Sequence, residues 1–443
     1  MEIKEVPVTL ARRLNTAYFE GRLSPAAEAA LAGLETAGAD ARELADRMFR
    51  LMRLARFEAT DLSPFTAWLL GFSVPRTVPS AWRGAVPPVT MAGRHRKIDD
   101  YLATNPWHRP DTDPVFVDLG CGFPPFTTIE TAHRFPGWRV IGVDPAFGRY
   151  LVHDAAGNYA LFDSEDRLRY YQAGNYDPAP EASHARFHDL LRRLLPLLTE
   201  SGEAVAEFGR LTRDPLRQYE KGNLGLRPGE IGAFELDGGA DVIRCLNVLM
   251  YFDQDFRERA LRWAARLLRP GGLFLCGSNW IDSASSRYTV YQKESGELVA
   301  REFAFSIENV RPIELAPWYA LHDDNLENLR NAHAVGTLRA DADFRRRFDA
   351  RLDALLAELG VCPRGADGYL GDSAEGRAPD ELARCSALLA ERLDSEGFVD
   401  DAVAVLRRAG FEAWRNGAGH VAMRPVPPPA LGPSLVPLDL NRT

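Results

Sequence analysis

The sequence predicts an α/β fold built on a parallel, doubly wound sheet. Three observations predict it. Val115-Phe116-Val117 is a short apolar run that leads at once into the glycine turn Asp118-Leu119-Gly120-Cys121-Gly122. A second run, Trp138 to Val143, ends on the acidic residue Asp144. Two more apolar runs, Asp241 to Asn247 and Leu273 to Ser278, flank a segment with apolar residues at helical spacing. Short runs without alternation suit strands covered on both faces, and helical crossovers between them suit a parallel sheet.

In chain order, residues 1–105 read as a helical cap or lid. Pro25 to Leu34 and Ala41 to Phe57 carry apolar residues on one helical face, with Leu44, Met48, Leu51, Met52 and Ala55 aligned in the second. Ser24 before Pro25 has the form of an N-cap followed by proline in the first turn. Pro75, Pro79, Pro87 and Pro88 break a loop, and Gly93 to Leu102 leads as a helix into the first strand.

The glycine turn carries the first functional signal. Gly120 and Gly122 lack a Cβ, so the backbone can turn tightly and approach a ligand. The helix after it, Phe126 to Phe135, opens with Pro124 and Pro125, which have no N–H to donate. Asp144 at the end of the second strand can accept from both hydroxyls of a ribose. Dinucleotide sites use G-x-G-x-x-G and rest the pyrophosphate on the helix N-terminus. Here the third glycine position is Pro125, which tilts the choice toward S-adenosylmethionine, a nucleoside without phosphate.

Residues 147–222 interrupt the alternation of strand and helix. Tyr159 to Phe162 and Leu168 to Tyr171 flank a polar turn as a hairpin does, and two helices are expected at His184 to Leu198 and Glu203 to Glu220. Leu224 to Leu236 restores the pattern. After Asn247, Phe256, Ala260, Trp263, Ala264, Leu267 and Leu268 share one helical face that ends at Arg269-Pro270-Gly271-Gly272. Residues 280–392 form a second interruption, with paired strands around Ser295-Gly296 and helices over 322–359 and 379–393. Gly397 to Gly410 is expected as a crossover helix, Phe411–Trp414 and His420–Arg424 as a closing antiparallel pair, and 425–443 as a proline-rich tail.

VFVDLGCG followed by VIGVDPA resembles the first two motifs of class I S-adenosylmethionine-dependent methyltransferases. DVIRCLNVLMYFD with LLRPGGLFLCGS resembles their fourth-to-fifth-strand unit and is locally similar to the chemotaxis-receptor methyltransferases. DLGCGFPP and the long insertions depart from that subgroup, so its protein-methylating activity is not carried over. The resemblance implies a Rossmann-like class I methyltransferase sheet with a helical N-terminal domain and two large insertions: a methyltransferase domain at 106–424 interrupted by 147–222 and 280–392. It implies a cofactor site of Asp118, Gly120, Cys121, Gly122, Asp144, Pro145 and Asn247, with Glu230 and Ile231 beside the adenine. Gly174-Asn175 is the competing placement for that adenine segment.

Composition bounds the function. Net charge is −9, which argues against nucleic-acid backbone binding. The five cysteines are scattered without a C-x-x-C, so neither a disulfide framework nor a metal site is expected. The sequence shows no transmembrane-length apolar run and no signal peptide, so a cytoplasmic enzyme that leaves membranes alone is expected. The expected partner is a small-molecule acceptor, and the sequence leaves a homodimer open without deciding the oligomeric state. No catalytic base is assigned. His153, Tyr251, Asn279 and Trp280 line the expected mouth, and Tyr251, Trp280, Tyr288, Tyr291 and Trp318 are the candidates for the substrate wall. Methylation of a protein carboxyl or side chain is the alternative acceptor, and aminocarboxypropyl transfer, with methylthioadenosine as product, is an alternative chemistry of the same cofactor.

Overall fold

The computed structural model describes residues 14, 17–18, 20–32, 48–68, 90–105, 113–173, 179–280, 284–313, 326–371, 379–429 and 431. Trp318, Gly174-Asn175, Leu44 and the proline loop before residue 90 lie outside the described residues. The helices are α1 (Pro25–Leu31), α2 (Pro64–Trp68), α3 (Arg96–Thr104), α4 (Phe126–Arg134) and α5 (Pro180–Leu194). They continue with α6 (Gln254–Leu267), α7 (Leu326–Ala340), α8 (Ala342–Leu359), α9 (Pro379–Ser395) and α10 (Phe398–Arg408). A further helical segment occupies 48–54. The strands begin with β1 (Val115–Leu119), β2 (Arg139–Asp144), β3 (Tyr150–Asp154), β4 (Tyr159–Phe162), β5 (Leu168–Gln172), β6 (Glu203–Ala206) and β7 (Gly209–Arg213). The rest are β8 (Leu224–Pro228), β9 (Ala240–Leu246), β10 (Leu268–Ser278), β11 (Arg287–Glu294), β12 (Glu297–Phe305), β13 (Ala413–Arg415) and β14 (Val421–Met423).

The main sheet has nine strands in the order β13-β14-β12-β11-β10-β9-β1-β2-β8. Within it β8, β2, β1, β9 and β10 are mutually parallel. Taken in chain order, the parallel strands lie third, second, first, fourth, fifth, which is the doubly wound arrangement. The order reverses between β1 and β9. One face of these strands is covered by Ile98, Tyr101 and Leu102 of α3 and Ala132 of α4, and the other by Ala260, Trp263, Ala264 and Leu267 of α6. All five residues of β1 and all seven of β9 are buried, as runs without alternation require.

Two sequence expectations are corrected here. Glu203 to Glu220 is not a helix. Its residues up to Arg213 form β6 and β7, followed by a 3-10 turn at Pro215–Gln218, and these strands with β3, β4 and β5 make a second sheet in the order β5-β4-β3-β7-β6. Ala204 and Leu211 point into its core while Val205 and Arg210 point out, a period of two that the helical reading missed. A Cβ on Gly209 would stand 2.5 Å from the His153 carbonyl oxygen, so the partner strand approaches too closely for anything larger. The hairpin β11–β12, expected in a separate insertion, instead extends the main sheet, with β11 antiparallel to β10. The closing pair β13–β14 exists but joins the sheet through β12, beyond that hairpin.

The N-terminal helices sit over the end of β9. Phe49, Met52 and Leu62 cluster with Met250, and Tyr251 packs against them. The expected N-cap holds, with Ser24 Oγ accepting from the Ala27 amide at 3.1 Å. Gly336 of α7 lies so near the 48–54 helix that a Cβ would be 2.1 Å from the Leu54 carbonyl oxygen.

Candidate functional site

In an open α/β sheet the ligand crevice lies outside the carboxyl ends of the strands, where the order reverses. Here that point joins Gly120 after β1 to Asn247 and Val248 after β9. Gly120 (φ +67°) and Gly122 (φ +72°) both take left-handed backbone. A Cβ on Gly120 would be 2.3 Å from a Val248 methyl, so glycine is required twice over.

The turn's amides are almost all engaged from within. Gly120 N donates to the Val143 carbonyl at 2.8 Å, and Cys121 N to the same oxygen at 3.4 Å. Gly122 N donates to Asp144 Oδ2 at 2.9 Å. Pro124 and Pro125 have no N–H, and Phe126 N donates to the Pro124 carbonyl at 2.9 Å. Phe123 is the one residue of the turn whose amide has no such partner among the described residues.

Asp144 ends β2 and is 3% exposed. Its second oxygen accepts from Ala146 N at 2.8 Å. Burial pushes its carboxyl up to about 6, against the pull of the Ala146 and Gly122 amides. Pro145, next in line, is exposed. Beside it, Gly229 N reaches the Asp144 carbonyl at 3.4 Å, and the Glu230 carbonyl closes a turn with Ala233 N and Phe234 N. That places exposed Glu230 and half-buried Ile231 next to the end of β2, where the sequence expects the adenine.

Other expected cofactor residues turn inward. The Cys121 side chain is 3% exposed. Its sulfur lies 3.0 Å from the place of a Cβ on Gly142. Only its backbone faces the turn, and burial together with Asp144 and Asp118 holds the thiol well above its ordinary value. Asp118 accepts from Arg244 Nε at 3.0 Å and Nη2 at 2.8 Å, and from Thr128 Oγ1 at 2.7 Å. Arg244, wholly buried on β9, also bonds Asp99 of α3, which in turn accepts from Thr131 Oγ1 at 2.7 Å. This buried ion cluster ties β1, β9, α3 and α4 together directly under the turn. The sequence reading passed over Asp99 and Arg244; an arginine in the middle of an apolar strand was the available signal.

Asn247 (φ +60°) stands at the reversal point, with its amide donating to the Gly277 carbonyl at 2.9 Å. Its side chain pairs reciprocally with Asn279, through Nδ2 to Oδ1 at 3.0 Å and through the Asn279 amide to Oδ1 at 3.0 Å. Asn279 Nδ2 then reaches the Arg94 carbonyl at 2.8 Å and His95 Nδ1 at 2.9 Å. Arg94 lies 5.0 Å over the Trp280 ring. Its charge opposes the burial that pushes the Tyr251 phenol up to about 12. Gly93 N is held by both oxygens of Glu130 at 2.9 and 2.8 Å. The segment before α3 is thereby fastened across the crevice, next to Tyr251 and Trp280.

The remaining substrate-wall expectations fare differently. Tyr288 is fully buried, bonded to Asn416 at 2.9 Å and to His420 at 3.3 Å, and Tyr291 packs at 6.1 Å on Phe274 on the opposite face of β11. Both are core residues rather than walls of the crevice, because strand β11 is covered on both sides. His153 lies on β3 beside Tyr159, at 5.8 Å between rings, in the second sheet.

Fold and turn together define a doubly wound α/β protein with a crevice where the strand order reverses. No protein-family model matches the chain. A chemotaxis protein methyltransferase of Klebsiella aerogenes is 39% identical over 74 residues, 16% of this chain and 26% of that protein. The chain thus matches about a quarter of that relative's length. Among solved structures, the amino pentose methyltransferase CalS10 from Micromonospora echinaspora, bound to S-adenosylmethionine, is 17% identical at a TM-score of 0.23, covering 51% of this chain and 68% of that one. The glycopeptide N-methyltransferase MtfA is 15% identical at 0.20, covering 41% and 51%. The mitomycin 7-O-methyltransferase MmcR is 17% identical at 0.21, covering 53% and 44%. The fold class itself stands on the strand order.

Proposed function

We propose that this chain is an S-adenosylmethionine-dependent methyltransferase acting on a small molecule at oxygen or nitrogen. The observation that carries the reading is the state of the glycine turn. A pyrophosphate needs several free amides aimed at it. In this turn all but that of Phe123 bond to Val143, Asp144 and Pro124 or are absent as prolines. What the crevice offers instead is a carboxylate at the end of β2 and apolar backbone, which suits a nucleoside without phosphate.

In this reading Asp144 accepts from the ribose hydroxyls on lone pairs left over from the two amides. Ile231 packs on the purine and Glu230 accepts from its amino group. Gly120 and Gly122 give close backbone approach, and Asn247 closes the far side. Asp118 positions the turn through Arg244. The bound sulfonium supplies an already activated methyl group. The chain's own part is to align the acceptor and exclude water, which Arg94 serves from the fastened segment and Tyr251 and Trp280 serve from the loops after β9 and β10. The partial match to a chemotaxis methyltransferase favours a protein side chain as the second reading. Calorimetry with S-adenosylhomocysteine and with NAD tests the first step. Tight NAD binding without a response to S-adenosylhomocysteine would refute it. Product analysis tests the second: S-adenosylhomocysteine marks methyl transfer, and methylthioadenosine marks aminocarboxypropyl transfer.

A further inference from the structure

The hydrogen bonds around Asn279 determine where the proton sits on His95. The Asn279 backbone N–H can only donate, so the Asn247 atom it meets at 3.0 Å is an oxygen. The other end of Asn247 is therefore its NH2, which donates to Asn279 Oδ1 at 3.0 Å. The remaining end of Asn279 is then also an NH2. One of its hydrogens goes to the Arg94 carbonyl at 2.8 Å and the other to His95 Nδ1 at 2.9 Å. Nδ1 accepts, so the ring proton is on Nε2. The imidazole is 6% exposed, and burial with Arg244 and Arg94 nearby keeps it neutral. Its Nε2–H makes no hydrogen bond among the described residues. It is a donor with a fixed direction and no assigned acceptor.

The surroundings select the chemistry of that acceptor. His95 caps α3, a helix of nine residues, so the positive end of the helix dipole opens here. The Arg94 guanidinium is its chain neighbour. Through Asn279 and Asn247 the ring is tied to the residue before Val248, which touches the place of a Cβ on Gly120. An N–H donor in a positive field, tied to the carboxyl ends of β9 and β10 where the crevice opens, suits a carboxylate. S-adenosylmethionine carries one, on its amino-acid end.

We propose that the Nε2–H of His95 donates a hydrogen bond to the amino-acid carboxylate of the bound cofactor. This rests on the methyltransferase reading, and the test separates the two. Histidine-labelled protein is observed by long-range 1H–15N NMR, with His95→Gln identifying the signal among the nine histidines. The unaltered protein should show the Nε2–H tautomer. S-adenosylhomocysteine should move the Nε2 signal. Methylthioadenosine keeps the nucleoside but lacks the carboxylate, so it should bind without moving that signal. His95→Leu should weaken S-adenosylhomocysteine roughly tenfold or more, the loss expected for a bond to a charged group, and leave methylthioadenosine unchanged. An Nδ1–H tautomer, an unmoved signal with S-adenosylhomocysteine bound, or equal movement with both ligands would overturn the proposal while leaving the methyltransferase reading standing. If neither ligand binds by calorimetry, both fall.

Discussion

Cofactor affinity should depend on pH through Asp144. A ribose hydroxyl donates to an ionised carboxylate, so binding draws on the charged form. Burial pushes the carboxyl of the free protein up to about 6. The sign follows directly: above that value the group is ready to accept, and below it a proton must first leave. Each further pH unit then removes about tenfold in affinity, or about 1.4 kcal/mol. At pH 5 about one molecule in eleven is ionised, so affinity should be about elevenfold weaker than at pH 8. Nothing in S-adenosylhomocysteine titrates across that range. Calorimetry at half-unit steps from pH 5 to 8 reads the curve, with Asp144→Asn as control. The amide should bind more weakly and without the pH slope, because it has no proton to lose. Affinity that stays flat to pH 5 in the unaltered protein would refute the assignment of Asp144 to the ribose.

Gly120→Ala should destabilise the protein by about 2–4 kcal/mol, from left-handed backbone and overlap with Val248; adding Val248→Ala should recover the overlap part alone in urea denaturation. Arg244→Met should cost about 3–5 kcal/mol in the same assay, since Asp118 and Asp99 would be left buried without their cation. Glu302, buried between Asn416 and Trp414, has its carboxyl pushed from 4.5 up to about 7. A raised acid contributes stability that is full below its unfolded value and is lost as pH rises through the folded one. Glu302→Gln should therefore flatten a fall of roughly 3 kcal/mol between about pH 4.5 and 7, read from denaturant midpoints across that window.

By itself the sequence determined the parallel heart of the fold and the position of the crevice. Short, mainly apolar runs at 115–117, 138–143, 241–247 and 273–278 read as strands covered on both faces, and a glycine turn after the first with an acid after the second marks the ligand side. Those signals are local, carried by residue type and spacing within a few positions. Tertiary structure alone decided three other matters. Glu203 to Arg213 became strands because β3 offered an open edge, and pairing with a neighbour outweighs weak helical propensity. Tyr288 and Tyr291 became core because β11 was drawn into the main sheet beside β10, which no pattern inside the segment announces. The polar core of the site, from Asp99 and Arg244 to His95, Asn247 and Asn279, joins residues up to 184 positions apart. Buried charges and amides must find partners wherever the fold brings them. The physical reason is that such partners are chosen by proximity in space, and spacing along the chain carries no trace of it.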